Sequence, residues 1–315
     1  MNKAACHRAA FTAAACALII AVRVCAACAP DAVPPPEPDT WLRATRPSAK
    51  PDMLNCLFFD EKGFQESVIQ AAAYDLEAEL NAGVVPHHLL AGGLIASFFK
   101  TAAEKIQDLE AVLIVAPNHS GRGGDAVTTL AGWNTPFGPV PCEKDFAAAL
   151  SANGAILAKR DDARVEADHS ASALLPYAAH YFGGVPVGVC LLSASASEEK
   201  TRAVADEALA LAGKRRVLLL VSADFSHYLP PSEAAARDEE TRAAVLNGDI
   251  GKIMSFGNEH LDSPPSLSVF MRYAALCGGG GLRVLDHSSS DRILKLPEGD
   301  AAFLDGTTTY FIFAG

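Results

Sequence analysis

Three apolar runs constrain this chain more than any other feature. GVVPHH at 83–88, VLIVAPNHSG at 112–121 and VLLLVSADFSHY at 217–228 each read as a strand that stops at turn residues and delivers a histidine. Near-continuous Val/Ile/Leu runs mark strands buried on both faces of a sheet. In an open α/β sheet, ligands bind in the crevice at the carboxyl ends of the strands. His87, His119 and His227 are therefore expected to converge, and three converging imidazoles read as a metal site. Pro86 and the Pro117-Asn118 pair set the turns that project the rings. Asp224, three residues before His227, stands where a carboxylate would orient that imidazole.

Between these runs, apolar residues recur at helical spacing. Helices are expected at 60–81 (one or two), 89–109, 144–157, 171–181, 195–212, 231–246 and 266–276. Ser170 is the expected N-cap of the 171–181 helix, and Ser195 with Glu198 has capping-box spacing. Further strands fall at 185–192, 282–285 and 308–313, and irregular loops at 121–125, 133–142 and 161–169. Strands alternating with helices imply an α/β fold, three-layer αβα, with a mostly parallel central sheet.

Residues 1–28 read as an export signal. Lys3, His7 and Arg8 precede an apolar stretch at 9–22, and Cys28 follows Ala26-Ala27. Small residues before a cysteine resemble a bacterial lipoprotein signal, although Cys25 stands where an aliphatic residue is usual. The expectation is an exported protein, periplasmic or membrane-anchored through Cys28, with a plain cleaved signal and an uncleaved anchor as alternatives. The Pro-rich stretch 29–52 is a linker, and 53–315 a single domain. A net charge of -11 without a Lys/Arg block excludes nucleic acid as the expected partner. The partner is instead a small-molecule or peptide ligand, with membrane contact only through the N-terminus. Of eight cysteines, only Cys56, Cys142, Cys190 and Cys277 lie beyond residue 30, widely spaced, which argues against a zinc ribbon. A Cys56–Cys142 disulfide is compatible with the sequence; buried free thiols are the simpler reading.

The other polar candidates are ambiguous. His169, beside Asp168 at a helix start, reads equally as a pocket residue or a surface cap. His180 reads as structural, and His260 and His287 have weaker contexts. Asp262 sits in a Pro-locked turn, so a helix cap or turn residue competes with a fourth metal ligand. Neither a phosphate loop nor a G-x-S-x-G elbow is present.

PHH at 86–88, PNHSG at 117–121, TPFG at 135–138, DHS and LLP within 168–176, SADFSHY at 222–228 and DSPPS at 262–266 together, in that order, resemble the Memo family, also called AmmeMemoRadiSam system protein B. The resemblance covers about 80–313. It implies a fold like the LigB-type class III extradiol dioxygenases, with a metal pocket at one edge of the sheet. The histidines of its PH and P-x-H motifs, metal ligands in the family, carry over as His87 and His119. His227 takes the place of a catalytic acid/base beside the metal, with Asp224 orienting it, and His88, Asn118 and His169 belong to the pocket. Asp262 falls where Memo proteins have a cysteine and the dioxygenases a carboxylate. The resemblance thus implies a divalent metal on His87, His119 and Asp262, a two-His-one-carboxylate set. Iron is the first expectation, with zinc, manganese or copper as alternatives. The implied activity is redox or dioxygen handling on an unidentified substrate. A metal-dependent hydrolase with His227 as base and a surface-anchored, non-enzymatic binding module are the alternatives. The export signal departs from family members with an intracellular redox role.

Overall fold

A computed structural model describes residues 53–277, 281–296 and 306–315. The expected signal and linker lie outside the described residues. The chain runs β1 (Met53–Asn55), α1 (Glu61–Gln70), β2 (Ala82–Val85), α2 (Gly92–Lys105), β3 (Ala111–Pro117), β4 (Ala126–Thr128), β5 (Gly132–Thr135), β6 (Gly138–Val140), α3 (Lys144–Ala152), β7 (Lys159–Arg160), α4 (Asp162–Ala167), α5 (His169–Ser172), α6 (Leu175–Phe182), β8 (Val187–Leu192), α7 (Glu198–Ala212), β9 (Val217–Ser222), α8 (Pro231–Leu246), α9 (Ile250–Met254), α10 (Pro264–Cys277), β10 (Arg283–Ser289), α11 (Ser290–Leu294) and β11 (Thr309–Ala314).

The main sheet has eight strands in the order β10-β11-β2-β9-β3-β8-β4-β7. Its centre, β2-β9-β3-β8, is parallel; β10–β11, β11–β2 and β4–β8 are antiparallel pairs, and β7 runs parallel to β4. Strand alternation divides the core into two layers. Leu113, Val115, Leu219 and Val221 pack with residues of α3, α7 and α10 on one face. Val112, Ile114, Leu218 and Leu220 pack with residues of α1, α2 and α6 on the other. Both faces are covered, so all seven residues of β3 are buried, which is why its sequence is an unbroken apolar run. At Gly83 a Cβ would lie 2.0 Å from the Phe98 ring, so only glycine lets α2 sit this close to β2.

The register places the site. Val85 pairs with Ser222, and Val115 with Val221. The carboxyl ends of β2, β9 and β3 are therefore adjacent and level, and the turns after them deliver His87, Asp224 and His119 to one place.

Several local expectations give way to specific hydrogen bonds. The 60–81 helix stops at Gln70 because the following backbone is satisfied by α2: Ser97 and Thr101 accept from the Ala72 and Tyr74 amides, and Lys100 donates to the Ala71 carbonyl. The 171–181 helix is two helices. Asp168, not Ser170, caps the first, and Pro176 in the first turn of α6 has no N–H to continue the ladder. The cap of α7 is Ser197; Ser195 instead donates to Asp125. The expected loop at 133–142 contains a hairpin, β5-β6, which pairs with β1 in a second sheet of three strands. The expected loop at 161–169 contains α4. Cys56, Cys142, Cys190 and Cys277 form no disulfide, so the Cys56–Cys142 bridge is not made. Among the described residues, no helix is long and apolar enough to cross a membrane.

Candidate metal centre

His87 is 2% exposed, and its ring is fixed from behind. The Ser222 hydroxyl donates to the Ser170 carbonyl at 2.6 Å, and its oxygen lies 2.9 Å from His87 Nδ1. A hydroxyl has one hydrogen, so Ser222 accepts from Nδ1–H. The tautomer inferred from this network leaves the lone pair on Nε2. That atom lies 3.3 Å from Asp262 Oδ2 and 3.5 Å from Asp224 Oδ2. Burial first, then the charges of His169 and His119, hold the His87 pKa well below its ordinary value, which keeps the ring neutral. A lone pair thus faces two carboxylates.

Asp262 is the other half of this arrangement. Its side chain is 6% exposed, and both carboxylate oxygens are buried without a hydrogen-bond partner. The helix-cap reading does not hold. Ser263 accepts from the Ser266 amide at the start of α10, leaving Asp262 out of the cap. Its backbone N–H donates to the Asp224 carbonyl, which stitches the two loops together. Burial raises the Asp262 pKa against the pull of His119, and Asp224 raises it further. A carboxyl group in such a place takes up either a proton or a cation.

His119 follows the turn after β3. Asp168 accepts from both its backbone N–H and its Nδ1, each at 3.0 Å. This carboxylate grip leaves Nε2 on the cleft side, 3.8 Å from Asp262 Oδ2. Burial lowers the His119 pKa, but the Asp168 bond, followed by Asp262, outweighs it and lifts the value to about 10. His169 opens α5 and stacks on His119 with centroids 4.3 Å apart, 5.0 Å from the His87 ring. It lines the cleft. Ligand atoms of His87, His119 and His169 lie within 4.8 Å of one another, as do those of His87, Asp224 and Asp262. The two groups share His87, and Asp262 Oδ2 lies within 3.8 Å of Nε2 of both His87 and His119. These imidazoles and carboxylates form groups that could hold a metal ion.

The remaining candidates are placed differently. Asp224 does not orient His227: its Oδ1 accepts from the His87 amide at 3.1 Å, because the loop after β9 folds back under the end of β2. His227 Nδ1 is buried without a partner, near enough for the ring's charge to act on Asp262 and His87. Asn118 turns its amide away, donating to the Arg122 carbonyl and accepting from Ser120. His88 stacks on Tyr310, whose hydroxyl is 3.3 Å from its Nδ1. Burial lowers the His88 pKa. Beside the cluster a cleft of about 520 Å3 opens, lined by His119, Ser120, Asp161, Arg164, Asp168 and His169 among others. Asn118 and His88 lie outside that lining.

Sequence reasoning missed the holding roles of Ser222 and Asp168. The available signal for Asp168 was its position one residue before His169 at a helix start. Nothing in the sequence ties it to His119, 49 residues away.

The Memo-like protein family matches residues 64–295. A MEMO1 family protein of Methanopyrus kandleri is 30% identical over 62% of this chain and 66% of its own length. Relatives from Methanococcus maripaludis (28%, over 63% of this chain and 69% of theirs) and Pyrobaculum arsenaticum (28%, over 66% and 76%) carry the same description. The match thus spans just under two thirds of the Methanopyrus protein. The crystal structure of an uncharacterised Escherichia coli K12 protein superposes with a TM-score of 0.49 at 14% identity, covering 75% of this chain and 100% of that one.

Proposed function

This chain belongs to the Memo-like protein family, and on that premise we propose that it holds a divalent metal, iron first, on His87, His119 and Asp262 for redox or dioxygen-handling chemistry on a small organic substrate. One observation carries the reading. Asp262 buries two unpartnered carboxylate oxygens against His87 Nε2, which the Ser222 contact leaves without a hydrogen. Repulsion between lone pairs in a buried site is relieved by a cation between them. A carboxylate in place of a soft thiolate favours Fe(II), Mn(II) or Zn(II) over Cu(I).

Bound there, an iron ion would supply an open coordination position and one-electron chemistry. The chain's own residues do the rest. Ser222 and Asp168 hold the Nδ1–H of His87 and His119, so His87 presents a lone pair on Nε2 and His119 an Nε2 that would give up its proton to a bound metal. Asp224 anchors the His87 turn and sets a second carboxylate 3.5 Å from His87 Nε2. His169 closes the cleft side. His227 would hold and move a proton, a role its buried unpartnered Nδ1 supports. An exported, lipid-anchored setting rests on the apolar stretch at 9–22 and Cys28.

The test is elemental analysis of protein purified without air, for the native chain and Asp262→Ala. Iron or manganese near one equivalent in the native chain, lost in the variant, is the expected result. Full occupancy in Asp262→Ala removes Asp262 from the set, and zinc alone in the native chain moves the reading to hydrolysis.

A further inference from the structure

Arg164 stands at the wall of the cleft that opens onto His119 and His169. Its guanidinium is held in place from three sides. Nε donates to Asp161 Oδ2 at 3.2 Å, and a terminal nitrogen donates to Ser120 Oγ at 2.8 Å. The stem lies against Gly123 in the GRGG loop, where a Cβ would meet Arg164 Nε at 3.0 Å and Cδ at 3.2 Å. Gly123 also has φ +89, so the loop's backbone and its close approach both call for glycine. The Gly-rich loop is thus shaped around this arginine.

Arg164 and His119 are the cations of the lining; His119 is already paired, with Nδ1 on Asp168 and Nε2 toward Asp262, which leaves Arg164 as the element with donors free for a ligand. Two carboxylates share the lining, and each is already engaged. Asp161 caps α4 through the Arg164 amide and accepts from Arg164 Nε. Asp168 accepts from His119 and Ser170. A guanidinium has five N–H donors in a rigid fork. Two are committed in the bonds above, and the side chain, which lines the cleft, is 26% exposed. A pinned, partly exposed guanidinium with donors to spare suits bidentate binding of a carboxylate. Pinning also lowers the entropy lost when the ligand binds.

We propose that the cleft takes a small molecule bearing a carboxylate, with Arg164 as the residue that selects it by charge and the reactive end of the ligand toward the His87–His119–Asp262 cluster. This rests on the metal reading for the ligand's orientation, but not for the carboxylate contact itself.

Benzoate and its neutral counterpart benzamide are the probes, read by ligand-observed NMR on the full chain in two states. With metal-free protein, benzoate is expected to bind at least about tenfold more tightly than benzamide, the scale of one charge-assisted hydrogen-bond pair. Arg164→Gln should abolish that preference, and Arg164→Lys should restore part of it. A role only in holding Ser120 and Asp161 together would change both probes equally. With Mn(II) added, the ring protons of benzoate should show paramagnetic broadening that is absent in Asp262→Ala. An Arg164→Gln variant that still prefers benzoate, or a native chain without preference, overturns the carboxylate proposal. Preference without broadening leaves Arg164 in place and removes the metal reading from beside it.

Discussion

At the residue scale, the site depends on which atoms are left without partners. The Asp262 carboxylate has no hydrogen bond that would explain its burial, whereas that of Asp168 has several: it caps α5 and grips His119 twice. Their substitutions should differ accordingly. Asp168→Asn keeps a good cap but loses the charge that holds Nδ1–H of His119. Metal affinity, measured by competition with a chelator, should fall about 10- to 100-fold, with occupancy recoverable at high metal concentration. Unchanged affinity would remove Asp168 from the centre. Gly83 makes a separate claim about packing. Gly83→Ala drives a methyl to 2.0 Å from the Phe98 ring and should destabilise the fold by about 1–3 kcal/mol in urea unfolding. A change near zero would mean that α2 moves freely off β2.

At the element scale, strand ends gather the site, and one buried acid on a helix holds the loop that carries His227. Asp238 of α8 is 1% exposed. Its Oδ1 accepts from Ser226 at 2.8 Å and Thr309 at 2.7 Å, and its Oδ2 pairs with His287 Nε2 at 2.8 Å. One carboxylate therefore ties α8 to β10, β11 and the loop after β9. Asp238→Ala leaves these donors unpaired and should lower stability by about 3 kcal/mol. Amide exchange should accelerate across 223–230 before it does in β3. Exchange that rises uniformly would show that the loop has no separate anchor. Helix boundaries shift for the same kind of reason: side chains of α2 finish the backbone bonds of 71–74, and Pro176 divides α5 from α6.

For the whole molecule, burial of thiols sets an alkaline limit. Burial pushes Cys142 from 9.0 to about 11 and Cys190 to about 12. The native fold therefore favours the neutral thiols. Below about pH 9 neither the folded nor the unfolded chain has ionised them, and their full contribution to stability is present. As pH rises through the folded values, the unfolded chain releases protons that the fold retains, and stability falls. The urea midpoint should decline between about pH 9 and pH 11, with a shallower decline in Cys190→Ala. A flat profile would contradict the burial of these groups. The N-terminus makes its own prediction. If Cys28 is the lipidated residue, Cys28→Ala should move the protein from the membrane fraction to the soluble exported fraction. Retention at the membrane would favour an uncleaved anchor. The sequence by itself determined the α/β architecture, because burial on both faces forces β3 and β9 into apolar runs, and a chain that must turn after such a run leaves Pro, Asn and His as its trace. It also brought His87, His119 and, through the order of motifs, Asp262 to notice. The partners of these residues were decided only by the tertiary structure. Asp168 reaches His119 across 49 residues, Ser222 reaches His87 across 135, and Asp224 turns to His87 rather than to its sequence neighbour His227. Such choices follow from the parallel register of β2, β9 and β3, a long-range pairing that local composition does not encode.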